Sequence, residues 1–159
     1  MSPSPSATEL VHATALALGD KAVLIRGPSG SGKSDLTLRC IALPPLAHSP
    51  LRAELVADDQ VQCVRREDGL VVSPPATLAG KIEVRGLGIL TLTYRPSARL
   101  ALVVDLVASE AVERYPLESL TAEYLGIVLP VVRLAPFEAS APVKLILALE
   151  AAPGTLTAP

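Results

Sequence analysis

The apolar positions of this chain fall into short runs broken by glycine, proline and acidic residues, a rhythm that suits strands better than long helices. Leu10 to Leu18 and Ala22 to Arg26 are two such runs split by Gly19-Asp20-Lys21, which predicts a hairpin. From Ser34 to about Ala42 the spacing changes, with Leu36, Leu38 and Ile41 at helical intervals behind the helix-opening pair Ser34 and Asp35. Leu43-Pro44-Pro45 stops that helix. Leu55-Val56-Ala57 predicts a buried strand ending in Asp58-Asp59, and a hairpin follows: Val61 to Val64, a turn at Glu67-Asp68-Gly69, then Leu70 to Val72. Ile89 to Tyr94 and Leu100 to Val107 predict further strands, the second interrupted by Asp105, with Arg95-Pro96-Ser97 as the turn between them. The stretch Val112 to Pro136 fits two patterns, helix over Leu120 to Tyr124 and strand over Ile127 to Leu134 around Pro130. Val143, Leu145, Ile146, Leu149 and Ala152 predict a terminal helix over Pro142 to Ala152. The sum is an α/β domain built as a strand-rich mixed sheet with few helices, without strict strand–helix alternation.

The junction between the run ending at Arg26 and the helix beginning at Ser34 carries the chemistry. Gly27-Pro28-Ser29-Gly30-Ser31-Gly32-Lys33-Ser34 matches the pattern G-x-x-x-x-G-K-[ST]. A strand feeding a glycine-rich turn and then a helix aims several backbone N–H groups at one point, where the helix dipole also favours negative charge. The fold class is therefore P-loop-containing. Lys33 can reach the β- and γ-phosphates of a nucleotide, and the Ser34 hydroxyl can bind Mg²⁺.

Composition narrows the setting. The chain has 159 residues, which suits one domain, so we expect a leader over 1–8, a P-loop domain over 9–153 and a tail over 154–159. Half the residues are apolar but only 3% are aromatic, so the core must come from Leu, Val, Ile and Ala. A net charge of −2 with no basic cluster argues against a nucleic-acid partner. Cys40 and Cys63 have no metal-ligand spacing and read as reduced, buried thiols, which places the protein in the cytoplasm. The start, Met1-Ser2-Pro3-Ser4-Pro5-Ser6, lacks the basic and apolar regions of a signal peptide, and no apolar run approaches membrane-spanning length.

Two further groups carry charge where a phosphate site would use it. Asp58 and Asp59 end an apolar strand downstream of the loop, where an acid can face Mg²⁺ or the attacking nucleophile; a polar turn is the plainer alternative. Strand alternation would point the two to opposite faces. In Glu83-Val84-Arg85-Gly86-Leu87-Gly88-Ile89 an acid and a base share one face of an extended stretch leading into two glycines. That face offers a metal ligand and a phosphate clamp, or else an ordinary salt bridge on a solvated edge.

These stretches, with His12 fifteen residues before Gly27, resemble the catalytic domain of HPr kinase/phosphorylase, the bacterial enzyme that phosphorylates a serine of the phosphocarrier protein HPr and can reverse the reaction by phosphorolysis. The resemblance implies a protein serine kinase of the sugar phosphotransferase system that uses ATP and Mg²⁺. It implies Asp58 as the general base, His12 as its helper and Asp59 as the second acid supporting the metal. It also implies Ser34 and Glu83 as metal ligands and Lys33 and Arg85 as cations that neutralise phosphate. HPr would be the partner, and the assembly a homo-oligomer, hexameric in that family. The position of His12 implies the short, single-domain form. Toward the C-terminus the family carries a proline-valine-basic-x-glycine-arginine-asparagine element, whereas Pro136-Phe137-Glu138-Ala139-Ser140-Ala141 and Pro142-Val143-Lys144-Leu145 supply no arginine-asparagine pair, so weak phosphorolysis is expected. A P-loop kinase or ATPase with another acceptor, and an ATP-binding regulator with little catalysis, are the alternatives. His48 reads as a surface residue in a proline-bounded loop.

Overall fold

The computed structural model describes residues 7–47 and 49–153; the expected tail, His48 and most of the expected leader lie outside the described residues. The strands are β1 (Thr8–His12), β2 (Thr14–Leu18), β3 (Lys21–Arg26), β4 (Ala53–Ala57), β5 (Gln60–Arg66), β6 (Gly69–Ser73), β7 (Lys81–Val84), β8 (Gly88–Thr91), β9 (Ala98–Leu106), β10 (Leu120–Tyr124) and β11 (Ile127–Leu134). The helices are α1 (Lys33–Ala42) and α2 (Ala141–Ala151). This is the strand-rich mixed sheet with few helices that the apolar rhythm predicts.

Nine strands form one sheet in the order β1-β5-β6-β9-β3-β2-β4, with β11 joined to β9 and β10 to β11. Pairing is parallel for β3–β9 and β9–β11 and antiparallel for β2–β3 and β2–β4. The central strand β3 is apolar on both faces because both are covered. Val23 and Ile25 join Leu36 of α1 and Leu145 and Leu149 of α2 in one core. Leu24 joins Ala15, Val56, Val61, Leu70 and Val72 in a second core made of strands alone. That second core closes because the sheet curls: β2 touches β5 and β4 touches β6, although neither pair is adjacent in the sheet.

Several boundaries differ from those predicted, each for a local reason. The run Leu10 to Leu18 is two strands, since the chain changes partner at Ala13, whose N–H donates to the Asp59 carbonyl at 3.1 Å. Before that corner β1 pairs with β5, and after it β2 pairs with β3 and β4. Leu120 to Tyr124 is a strand, because Leu125 and Gly126, at φ 52 and 82, make the left-handed turn that folds β10 back on β11. Pro130 is tolerated in β11 because the ladder to β9 begins only at Val131. The Ile89 to Tyr94 strand is shorter, ending at Thr91, and pairs with β7 in a separate two-stranded sheet.

Asp105, the polar break in an apolar strand, lies opposite Arg26 in the β3–β9 register and takes both Arg26 Nε and Nη2, at 2.7 and 2.9 Å. Tyr124 Oη accepts from Nη1 at 3.0 Å. The bond to Asp105 raises the Arg26 pKa above its ordinary value, so the guanidinium stays charged at the last residue before the glycine-rich loop. Asp105→Ala should lower unfolding free energy by about 2 kcal/mol, the scale of a charge-assisted hydrogen bond, read as a lower denaturant midpoint. An unchanged midpoint would show that the pair gives no net stabilisation.

Both cysteines are buried. Burial pushes the Cys40 thiol up to about 12 and the Cys63 thiol up to about 11, which keeps both protonated and poorly nucleophilic near neutrality. The native protein should resist a thiol-labelling reagent at mildly alkaline pH, and both thiols should react once it is denatured. Fast labelling of the native protein would contradict this packing.

Candidate active site

Because β2 runs antiparallel to both β3 and β4, those two strands share a direction, and β9 and β11 share it through their parallel pairing. The carboxyl ends of β4, β3, β9 and β11 therefore reach one edge of the sheet. That edge is where open α/β sheets hold ligands. The residues after β4 are Asp58 and Asp59, those after β3 are the glycine-rich loop, and those after β11 are Ala135, Pro136 and Phe137.

The loop is folded by a bond from Ser31 N–H to the Pro28 carbonyl at 3.0 Å. The Ser31 side chain then sits where a Cβ at residue 27 would be, which explains glycine there. Gly32 caps α1 at φ 100 and ψ 17 with no side-chain cap, so the first amides of the helix are left to an external acceptor. Lys33 is buried, with Nζ donating to the carbonyls of Gly27 and Pro28 at 2.6 and 3.0 Å. Its ammonium is thus held beside the uncapped amides.

The adjacent acids part company sharply. Asp58 is 7% exposed, and its Oδ1 accepts from Ser34 Oγ at 2.7 Å and Thr14 Oγ1 at 3.0 Å, while Oδ2 accepts from the Glu83 N–H at 3.1 Å. Asp59 lies at φ 68, a left-handed turn that throws its side chain outward, where its Oδ1 meets His12 Nε2 at 2.8 Å. The side chains do diverge, but through a backbone turn and not through strand alternation. His12 bonds Asp59 and not Asp58, the carboxylate it was expected to assist; the register that places His12 opposite Gln60 brings it to that corner.

Glu83, at the end of β7, and Arg85, in the turn before β8, close the far wall. With the loop and both acids they line a cavity of about 780 Å³, within the range of small-molecule sites. Ser29, Gly30, Gly32, Lys33 and Ser34 line it; Gly27, Pro28 and Ser31 shape the loop from behind, and His12 stands outside, reaching the cavity through Asp59. Thr14, Leu38 and Phe137 also face the cavity and were not anticipated. Thr14 and Leu38 sit in patterns that look merely structural. Phe137, the single phenylalanine, carried a signal in its rarity.

Fold and site together define a strand-rich α/β domain whose glycine-rich loop, two acids and a cation-bearing hairpin meet at one sheet edge. The family model described as HPr Serine kinase C-terminal domain matches residues 5–153, and the chain belongs to that family. The HPr kinase/phosphorylase of Bordetella pertussis (strain Tohama I) is 37% identical over 131 residues, covering 76% of this chain and 40% of that protein. The HPr kinase/phosphorylase of Burkholderia cenocepacia (strain HI2424) is 37% identical over 134 residues, covering 78% and 38%. The chain thus spans about two fifths of the length of these curated relatives. The solved Hpr(Ser) kinase/phosphatase from Coxiella burnetii superposes with a TM-score of 0.70 at 27% identity, covering 89% of this chain and 93% of the other.

Gly32→Ala would place a Cβ 3.0 Å from the Phe137 ring at a φ that side chains rarely adopt. A loss of about 1–3 kcal/mol in stability is expected, measured by denaturant unfolding. A variant as stable as the parent would show that the loop is not held in this conformation.

Proposed function

We propose that this domain is an ATP-dependent protein serine kinase acting on HPr, the phosphocarrier of the sugar phosphotransferase system. The observation that carries the reading is the division of the two acids: Asp58 bound to the Ser34 hydroxyl, and Asp59 turned outward with His12. Family membership and the names of the relatives support HPr as acceptor.

The loop amides and Lys33 would hold the phosphate chain of ATP, with Arg85 neutralising charge from the opposite wall. The donor set suits Mg²⁺, a hard cation that takes oxygen ligands and usually one or two carboxylates beside phosphate oxygens. Ser34 Oγ and Asp58 are joined at 2.7 Å, and Glu83 lines the same cavity. Mg²⁺ bound there would supply neutralisation of the charge that develops on the transferring phosphoryl group.

The expected roles of the two acids are exchanged in this proposal. Both oxygens of Asp58 are engaged by donors, and the residue is buried, which suits a carboxylate that orients Ser34 and the metal. A general base must meet an incoming hydroxyl within hydrogen-bond reach. Asp59 has an exposed side chain at the cavity and one oxygen bonded to His12, which would orient it to receive the serine proton. Weak phosphorolysis follows from the missing arginine-asparagine pair. A homo-oligomer, hexameric by resemblance, and a cytoplasmic setting complete the proposal. Among the described residues no helix is long and apolar enough to cross a membrane.

The test is transfer of label from γ-labelled ATP to HPr in the presence of Mg²⁺. Lys33→Ala should abolish it. Asp59→Asn should slow transfer by at least about a hundredfold with little change in ATP affinity, since only proton transfer is removed. Asp58→Asn should instead raise the Mg²⁺ concentration required. Near-normal transfer by Asp59→Asn, with Asp58→Asn inactive at every Mg²⁺ concentration, would return the base to Asp58. Absence of label on HPr with the unaltered protein would reject the acceptor.

A further inference from the structure

Phe137 is the only phenylalanine of a chain with 3% aromatic residues, yet it is 72% exposed at the rim of the cavity. Burial therefore does not explain it. Its ring lies against the phosphate loop, with Cζ and Cε1 about 3.0 and 3.1 Å from where a Gly32 Cβ would stand.

The ring is held there by its neighbours. Arg39 of α1 donates through Nη2 to the Pro136 carbonyl and through Nη1 to the Glu138 carbonyl at 3.5 Å, which ties the turn after β11 to the helix behind the loop. Asp35 Oδ2 accepts from Arg39 Nε at 3.0 Å, and Glu138 is paired with Lys144 at 2.8 Å. The charged groups flanking the ring are therefore engaged with one another and the backbone on either side of it is tied to α1, while the ring itself presents an apolar face.

Sheet topology says which part of a bound nucleotide that face meets. Along the carboxyl edge, β2 and then β4 lie on one side of β3, while β9 and then β11 lie on the other. The acids follow β4 and Phe137 follows β11, so they flank the phosphate loop on opposite sides. A triphosphate whose terminal group points to the acids leads its nucleoside away from them, and Phe137 is the aromatic ring on that side of the loop.

We propose that Phe137 is a stacking platform for the base of the nucleotide, so that the site takes a nucleoside triphosphate by the face of its base. The inference rests on the proposed nucleotide site and extends it to a subsite. A phenyl ring offers no hydrogen bond to a base edge, so the platform favours nucleotides over bare polyphosphate without choosing strongly between purines.

Calorimetric titration of the unaltered protein, Phe137→Ala and Phe137→Tyr with ATP and with inorganic tripolyphosphate, in Mg²⁺, tests this. Phe137→Ala should weaken ATP by roughly tenfold or more, the scale of aromatic–base stacking, and leave tripolyphosphate unchanged. Phe137→Tyr should bind ATP as the parent does. Equal weakening of both ligands in Phe137→Ala would overturn the proposal, because the ring would then only shape the loop. Unchanged ATP affinity with a raised KM for the protein acceptor would also overturn it, in favour of acceptor docking. Failure of the unaltered protein to bind either ligand would reject the nucleotide site itself, a result distinct from both.

Discussion

The carboxylate of Asp58 is the constraint on which the rest of the site depends. It gathers the first helical turn through Ser34, the start of β2 through Thr14 and the β7–β8 hairpin through the Glu83 amide. These three segments are distant in sequence and lie on different sides of the cavity. A buried carboxylate with too few donors is costly, so the three bonds stabilise one another and the arrangement holds as a unit. Its geometric result is that the serine of the glycine-rich loop, the acidic strand end and the hairpin bearing Arg85 face one volume.

The sheet supplies that carboxylate with its position. Antiparallel pairing of β2 with both neighbours aligns β3 and β4, and parallel pairing brings β9 and β11 to the same edge. The cavity thereby acquires a polarity, with acids after β4, main-chain donors after β3 and an aromatic ring after β11. Arg26 and Asp105 hold the middle of this edge through a charged pair one residue before the loop. Charge is mixed in the same volume: Lys33 and Arg85 share the cavity with Asp58, Asp59 and Glu83, a balance suited to binding phosphate and metal together.

Much of this was legible from residue order, because the signals were local. The loop is specified by glycine positions and the strand before it, the helices by their apolar spacing, and the β2–β3 hairpin by Gly19-Asp20. What escaped depended on partners far along the chain. The break at Ala13 exists because β1 pairs with β5, whose residues lie about fifty positions later, and no pattern within Leu10 to Leu18 records that. Leu120 to Tyr124 has residues acceptable in either state, and the left-handed turn at Leu125-Gly126 decided for strand. Nine of the thirteen positions named from the sequence line one cavity, so the neighbourhood was legible, but pairing was not. Which acid His12 would meet depended on the φ of Asp59, and Thr14 and Phe137 were joined to the site only by the fold.

The most direct measurement is a crystal structure of the domain with Mg²⁺ and a non-hydrolysable ATP analogue. The account predicts phosphates on the amides of the 27–34 loop, the metal at Ser34 on the Asp58 side, and the terminal phosphorus nearer to Asp59 than to Phe137. A triphosphate bound with its terminal group toward Phe137, or away from the loop amides altogether, would contradict it.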